Sequence, residues 1–175
     1  DAAATYAKVV ALWSTLGEPT REVQARVHLA QTFGRLGNVD GAVATYAAAA
    51  QTAEQSGEQT LHMNLLYELG KAYISAEEEE RALETLSVTQ NMARALNAQD
   101  TLAEALLTIA NVHRGQGNDE LALATYQESL SVYQGLQNEE AVASVLAQLR
   151  EHYPSAVEDA PDTSDAASTI DSTAV

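Results

Sequence analysis

The sequence has no cysteine, few aromatic residues and few basic residues, and these shortages exclude several classes of function. Without cysteine there is no disulfide framework, no thiolate metal site and no thiol nucleophile. No run of about 18 apolar residues occurs, which argues against a membrane-spanning helix. The chain does not open on a basic and apolar leader, so no signal peptide is predicted and a cytoplasmic location is expected.

The charge balance is strongly acidic, with 25 Asp and Glu residues against 9 Lys and Arg residues and a net charge of −16. A field of this sign repels phosphate backbones and anionic lipid surfaces, so neither nucleic acid nor a membrane is an expected partner. Apolar residues make up 46% of the chain, but aromatic residues only 5%. An alanine-rich composition of this kind is typical of helices packed at close range.

One ten-residue phrase occurs twice: residues 37–46 read GNVDGAVATY and residues 117–126 read GNDELALATY. The midpoint, residues 77–86, reads EEEERALETL and keeps the alanine that the other two copies share. Self-similarity at a fixed period, here 40 residues without gaps, predicts an array of helical repeats. The columns that recur are Ala2, Ala42, Ala82 and Ala122; Tyr6, Tyr46, Leu86 and Tyr126; Leu29, Leu69, Ile109 and Leu149; and Ala30, Gly70, Ala110 and Arg150.

The residues between the helices recur as well. Gly and Asn suit the left-handed residue that closes a helix, and Thr and Asp are good N-caps. The predicted closing residues are Gly17, Gly57, Asn97 and Gln137, and the predicted N-caps are Thr20, Thr60, Asp100 and Glu140. Gly37-Asn38 and Gly117-Asn118 predict tight turns, whereas the turn at Glu77-Glu78 is expected either to differ or to carry strain. The acidic run Glu77–Glu80 could be a cation site, but we favour a match to the dipole of the helix that follows.

The columns resemble the tetratricopeptide repeat, in which a small residue and an aromatic on the first helix are followed by a turn glycine and then by Ala and an aromatic on the second. Ala30, Phe33, Gly37, Ala42 and Tyr46 match this pattern in order. The usual early tryptophan is absent, and the period of 40 is similar to the longer-helix variety of kinesin light chains and bacterial regulator arrays. The resemblance implies an all-α, right-handed α-solenoid of stacked antiparallel helix pairs.

A single pair of helices cannot bury its apolar face alone, so the repeated pairs are expected to stack on one another. Arg150 occupies a small-residue column and Pro154 stops the helix, so the array is expected to end near residue 153. Residues 154–175 are acidic, lack helical periodicity and are expected to be disordered. The layout is a half repeat 1–17, repeats 21–57, 61–97 and 101–137, a capping helix 141–153 and the tail 154–175.

No arrangement of residues for catalysis was found. There is no phosphate-binding glycine motif, no GxSxG elbow and no HExxH sequence, and the four histidines are not paired at metal-ligand spacing. The chain is therefore expected to have no enzymatic activity, no metal and no cofactor.

In tetratricopeptide arrays the first helices line a concave groove, so the resemblance predicts a protein-interaction module that holds a partner segment there. Tyr67, Ile74 and Leu107 are predicted to supply affinity, and Asn64, Lys71, Asn111 and Arg114 orientation. Bases are enriched in the groove of an acidic chain, which favours an acidic or carboxylate-bearing segment, although chance is nearly as good an explanation. The predicted partner-binding groove is Gln31, Arg35, Asn64, Tyr67, Lys71, Ile74, Glu104, Leu107, Asn111 and Arg114.

Two alternatives remain open from the sequence. The chain begins with a helix of the second type, which suggests a sensory or regulatory segment of a larger signalling or enzymatic protein. The same helix would leave Ala3, Val10 and Trp13 uncovered, and this N-terminal face could mediate self-assembly into a homo-oligomer.

Overall fold

The computed structural model describes residues 2–156, and within this range the chain is entirely helical apart from its turns. No strand occurs in the described range, and none of its helices is long and apolar enough to cross a bilayer. The α-helices are α1 Ala2–Leu16, α2 Pro19–Arg35, α3 Val39–Gln55, α4 Gln59–Ser75, α5 Glu79–Ala95, α6 Gln99–Gly115, α7 Asp119–Gly135 and α8 Glu139–His152. A single turn of 3-10 helix, Pro154–Ala156, follows α8.

Each helix packs on the helix before it and the helix after it in the chain, as expected of a solenoid. In addition α4 contacts α6, although α5 separates them in sequence, so first helices of adjacent repeats lie side by side. The predicted fold class, an all-α solenoid of stacked helix pairs, is confirmed.

The seven connections between helices use one type of turn. In each turn an amide bonds the carbonyl five residues earlier, as Asn38 N does with Phe33 O at 2.9 Å and Glu78 N with Tyr73 O at 2.9 Å. The residue before that amide is left-handed: φ is 72° at Gly37 and 60° at Glu77. The turn at Glu77 therefore has the same geometry as the other turns, and Glu77 is strained because a residue with a β-carbon disfavours the left-handed region.

The predicted N-caps were wrong by two residues. The first helices are capped by Glu18, Glu58, Ala98 and Asn138 rather than by Thr20, Thr60, Asp100 and Glu140. The left-handed residue reverses the chain in one step, so the next helix begins at once and the Thr and Asp side chains fall in its first turn. Among the first helices of the described chain, only α8 has a side-chain cap, in which Asn138 Oδ1 accepts from Ala141 N at 3.1 Å.

Small residues lie where the helices touch. Ala30, Ala110 and Ala122 are fully buried, and Tyr126 fills the space beside Ala122 without any exposed surface. At Gly70 a β-carbon would lie 2.7 Å from Cγ of Leu86, so the backbone of α4 approaches α5 too closely for a larger residue.

The exposed apolar residues of α1 are not the ones predicted. Ala3 is buried at 8% exposure, Val10 is half-buried, and Trp13 is half-buried with the guanidinium of Arg21 4.8 Å from its ring centre. The reason is that α2 packs along this side of α1. The large apolar side chains that α1 exposes are Leu12 and Leu16, at 54% and 58%.

The predicted tail begins with the ordered turn Pro154–Ala156. The remainder of that prediction, residues 157–175, lies outside the described residues.

Candidate functional site

The predicted groove residues lie on three first helices: two on α2, four on α4 and four on α6. The contact between α4 and α6 makes their groove positions neighbours. Five of the ten are half-buried and five are exposed. The half-buried residues are Tyr67, Ile74, Leu107, Asn111 and Arg114, and the exposed ones are Gln31, Arg35, Asn64, Lys71 and Glu104.

Tyr67 lies at the junction of α4 and α6. Its hydroxyl is 3.4 Å from Oγ1 of Thr108 on α6, and the ammonium of Lys71 lies 5.0 Å from the centre of its ring. Burial raises the pKa of Tyr67, and the hydrogen bond to Thr108 opposes this only in part. The tyrosine therefore stays neutral and offers a ring and a hydroxyl to the groove.

Lys71 is already paired within its own helix. Its Nζ donates to Oε1 of Glu68 at 2.9 Å, and both side chains are substantially exposed. Partial burial opposes the charge of Lys71, but the hydrogen bond and the charge of Glu68 outweigh it, so the pKa of Lys71 is raised. A carboxylate ligand would have to share this ammonium with Glu68, which an ammonium with three donors permits.

Asn111 and Arg114 are engaged by a buried residue that the sequence did not link to them. The Tyr126 hydroxyl donates to Oδ1 of Asn111 at 2.5 Å and accepts from Nε of Arg114 at 3.3 Å. A buried tyrosine needs such partners for its hydroxyl, and that requirement was the available signal in the sequence. Asn111 and Arg114 therefore provide hydrogen bonds to the hydroxyl of buried Tyr126, while the other guanidinium nitrogens of Arg114 remain available to a ligand.

A cavity of about 230 Å³ separates the first two complete repeats and brings two predicted residues together. Gln31 on α2 and Lys71 on α4 both line it, and Tyr46, Glu68 and Ser75 are its other polar lining residues. Burial, followed by the charge of Glu68, raises the pKa of Tyr46. Arg35, one turn along α2 from Gln31, is not among the lining residues of this cavity.

A second cavity, of about 360 Å³, lies beside α6 and α8 and contains the other end of the predicted set. Glu104 and Leu107, two of the predicted groove residues, line it. Tyr133, near the end of α7, and Glu140 on α8 also line this cavity, and neither was among the predicted groove residues. The cavity is lined by three successive helices, so its lining cannot be predicted from the residues at one position of the repeat.

Residues 104–135 match a model of the tetratricopeptide repeat family. This segment comprises most of α6, the turn and α7, which form one complete helix pair. In a comparison with the curated proteins, no match was found.

Several solved structures share the fold at low sequence identity. BtubC (BKLC) from P. vanneervenii has a TM-score of 0.74 at 22% identity, over 89% of this chain and 66% of its own. The apo form of RapI has a TM-score of 0.72 at 13% identity, over 87% of this chain and 63% of its own. A Rap protein complexed with Competence and Sporulation Factor has a TM-score of 0.76 at 12% identity, over 86% of this chain and 42% of its own. The chain thus spans about two thirds or less of the length of these structures.

Proposed function

We propose that the chain, in which residues 104–135 match the tetratricopeptide repeat, is a non-catalytic interaction module that holds a segment of a partner protein in the groove of its first helices. The observation that supports this most directly is the half-buried apolar surface of Tyr67, Ile74 and Leu107 on α4 and α6. A groove that presents rings and branched side chains between polar groups is suited to a polypeptide segment.

The polar residues around this surface suggest how a segment would be oriented. Gln31 and Lys71 line one cavity, and Asn64 is exposed on α4, about two turns before Lys71. We infer that a carboxylate of the partner binds Lys71 in this region and adds charge-assisted hydrogen bonds.

The groove proposal is tested by comparing proteins captured from a lysate by matched variants. Tyr67→Ala with Ile74→Ala removes apolar groove surface, and Val88→Ala with Leu121→Ala removes exposed apolar surface from second helices. We expect a set of captured proteins to be lost only with the first variant, at an unchanged circular dichroism spectrum. Equal capture by both variants would contradict binding in the groove.

The carboxylate proposal has its own matched pair, because the chain contains only two lysines. Lys71→Glu reverses the charge in the groove, and Lys8→Glu makes the same change on the exposed side of α1. A partner that uses its carboxylate on Lys71 should bind the first variant more weakly and the second as tightly as the parent. Equal affinities would contradict carboxylate binding by Lys71 but would not contradict binding in the groove.

A second candidate is a regulatory repeat segment of a larger protein. It is favoured by the similarity to the Rap protein solved with Competence and Sporulation Factor, of which this chain covers 42%. Sequencing the reading frame around the segment would test this candidate, since a continuous frame into an effector domain is required.

A further inference from the structure

The cavity between the first two complete repeats is lined by a tyrosine that the groove proposal does not use. We call it the Tyr46 cavity and define it by Gln31, Gly34, Tyr46, Glu68 and Lys71. The hydroxyl of Tyr46 forms no hydrogen bond with any residue between 2 and 156. The volume of about 230 Å³ lies below the range of about 300–1,000 Å³ for whole small ligands, so the cavity suits a single side chain.

In the third complete repeat the equivalent tyrosine receives both hydrogen bonds from its own repeat. The Tyr126 hydroxyl donates to Oδ1 of Asn111 at 2.5 Å and accepts from Nε of Arg114 at 3.3 Å. Tyr126 has no exposed surface, so its hydroxyl is closed off from solvent. A long cationic side chain therefore occupies the space beside this hydroxyl.

The first complete repeat lacks that cationic side chain. Two periods of 40 residues earlier, the positions of Tyr126, Asn111 and Arg114 are held by Tyr46, Gln31 and Gly34. A β-carbon added at Gly34 would have nothing within 4 Å. The path that the side chain of Arg114 takes in the third repeat is therefore open in the first.

In the second complete repeat the same two positions hold an apolar pair. Ile74, in the place of Arg114, is half-buried against the core, and Leu86, in the place of Tyr126, is fully buried. The second and third repeats thus supply a matching side chain, apolar where the column has leucine and cationic where it has tyrosine. The first repeat keeps the tyrosine without its match, which favours a group supplied by another molecule.

The Tyr46 hydroxyl is accessible from the cavity. Tyr46 belongs to the core, as Tyr126 does, and is only 7% exposed. Among the described residues, Nδ1 of His113 is the only buried polar side-chain atom without a partner, so the unbonded hydroxyl of Tyr46 is not sealed in the core. Gln31 and Gly34, the equivalents of the residues that bond Tyr126, line the cavity with Tyr46.

Glu68 supplies the negative charge that a cation in this cavity requires. Its Oε1 accepts from Nζ of Lys71 at 2.9 Å, and its other oxygen accepts no hydrogen bond within the described part of the chain. The pair is substantially exposed and therefore stabilises little, so Glu68 can be shared. A guanidinium has five donors in a plane and can bond a hydroxyl and a carboxylate together.

We propose that the Tyr46 cavity binds an arginine side chain of the partner segment, in the way that Arg114 binds Tyr126 in the third repeat. The guanidinium donates to the Tyr46 hydroxyl and to Glu68, and the open side of Gly34 admits the methylene stem. This deepens the proposed function and rests on it, because the groove has to hold the segment that carries the arginine. Lys71 keeps two donors for a carboxylate on a neighbouring residue of that segment.

The test is an NMR titration of the full chain with two blocked pentapeptides that have alanine around a central residue. The central residue is arginine in one and citrulline, its uncharged isostere, in the other. We expect saturable shifts at Gly34, Tyr46 and Ala72 with the arginine peptide, and about fivefold weaker binding of the citrulline peptide, since hydrogen bonds to charged groups are the stronger ones. Equal binding of both peptides would overturn the proposal, and so would the absence of saturable shifts, which is the result for a cavity that holds only water.

Gly34→Arg tests whether the arginine follows the path of Arg114. The new side chain would fill the cavity from within the chain and should abolish the saturable shifts. Gly135→Arg is the matched control, because nothing lies within 4 Å of a β-carbon there either and Gly135 does not line the cavity. The arginine peptide should bind this control as it binds the parent. Equal binding to both variants would place the peptide elsewhere and refute the site.

Tyr46→Phe removes the hydroxyl and keeps the buried ring. It should weaken the arginine peptide about fivefold, which is the effect of one hydrogen bond to a charged group. Tyr6→Phe makes the same change at the same position of the repeat but outside the cavity, and it should leave the affinity unchanged. An unchanged affinity for the Tyr46 variant would show that the hydroxyl is not an acceptor for the peptide.

Lys71→Ala distinguishes an arginine from a carboxylate in the Tyr46 cavity. Loss of the ammonium frees Glu68 and removes a like charge, so the arginine peptide should bind up to about fivefold more tightly. A third peptide, with glutamate at its centre, should bind this variant more weakly if Lys71 holds the carboxylate of the partner. Weaker binding of the arginine peptide to the variant would contradict the proposal.

The failures of the two proposals can be told apart. If a captured partner requires Tyr67 and Ile74 but binds the Gly34→Arg variant as tightly as the parent, the arginine site is wrong and the groove stands. If the arginine peptide titrates as expected but no partner depends on Tyr67 and Ile74, the Tyr46 cavity stands without the groove.

Discussion

At the left-handed residue of each turn, the identity of a single side chain affects the stability of the fold. The same turn recurs at each connection, but φ at this residue is 75° at Gly117, 54° at Asn97 and 60° at Glu77. A β-carbon in this region costs about 1–2 kcal/mol, from which Gly is exempt and Asn partly so. Glu77 therefore carries strain that its counterparts at 37 and 117 avoid.

Glu77→Gly should stabilise the protein by about 0.5–1 kcal/mol, because the relief of strain exceeds the greater freedom that glycine gives the unfolded chain. Urea denaturation measures the change. Glu80→Gly is the matched control, since it removes the same charge from an exposed position within α5 and should destabilise by about 0.5–1 kcal/mol. Equal effects of the two variants would mean that Glu77 is not strained.

At the scale of the helix, packing depends on small residues more than on polar ones. The backbone of α4 meets α5 at Gly70, where the Cγ and Cδ2 atoms of Leu86 would lie 2.7 and 2.8 Å from an added β-carbon. Leu86 is itself fully buried, so it has no free space to move into.

Gly70→Ala should therefore destabilise by about 1 kcal/mol, with overpacking of about 1–3 kcal/mol exceeding a gain in helix propensity of about 1 kcal/mol. Gly34→Ala makes the same change in α2, where nothing lies within 4 Å of the new β-carbon. It should stabilise by about 0.4–1 kcal/mol. Chemical denaturation should therefore show changes of opposite sign in the free energy of unfolding for the two variants. Changes of the same sign would contradict the prediction.

The sequence predicted the helices well because contacts between helices recur with the repeat. Ala30, Gly70 and Ala110 occupy equivalent contacts, and a column of small residues shows this directly. Helix starts were less predictable, because an acid such as Asp100 is favourable both in a first turn and at a cap. The backbone reversal at the preceding left-handed residue decides between the two positions.

The contacts within the candidate site were not predictable from the sequence, since they join residues from different positions of the repeat. Positions on the first helices followed from the repeat. The bonds of Tyr126 with Asn111 and Arg114 join two helices of one repeat. Tyr133 on α7 and Glu140 on α8 line the cavity beside α6 and α8. Such combinations occur once in the chain, so no periodicity indicates them.

For the whole molecule, the dominant electrostatic property is its negative charge. The net charge is −16, and the Lys and Arg ion pairs among residues 2–156 use only Glu22, Glu68, Glu78 and Glu128 as acids. The pairs of Glu68, Glu78 and Glu128 are exposed and contribute little, about 0–1 kcal/mol each, whereas the pair of Glu22 with Arg26 is largely buried. Mutual repulsion of the remaining acids opposes the compact state more strongly than these pairs support it.

Added salt should therefore stabilise the array. Raising sodium chloride from about 0.05 M to about 0.5 M shortens the Debye length roughly threefold and screens the repulsion. We expect a gain of about 1 kcal/mol, which is a rise in melting temperature of about 2–4 °C for a chain of this size. The slope with salt should be shallower for Glu79→Gln with Glu80→Gln and steeper for Lys8→Glu, since these variants change the net charge in opposite directions. A melting temperature that falls with salt would mean that ion pairs outweigh repulsion.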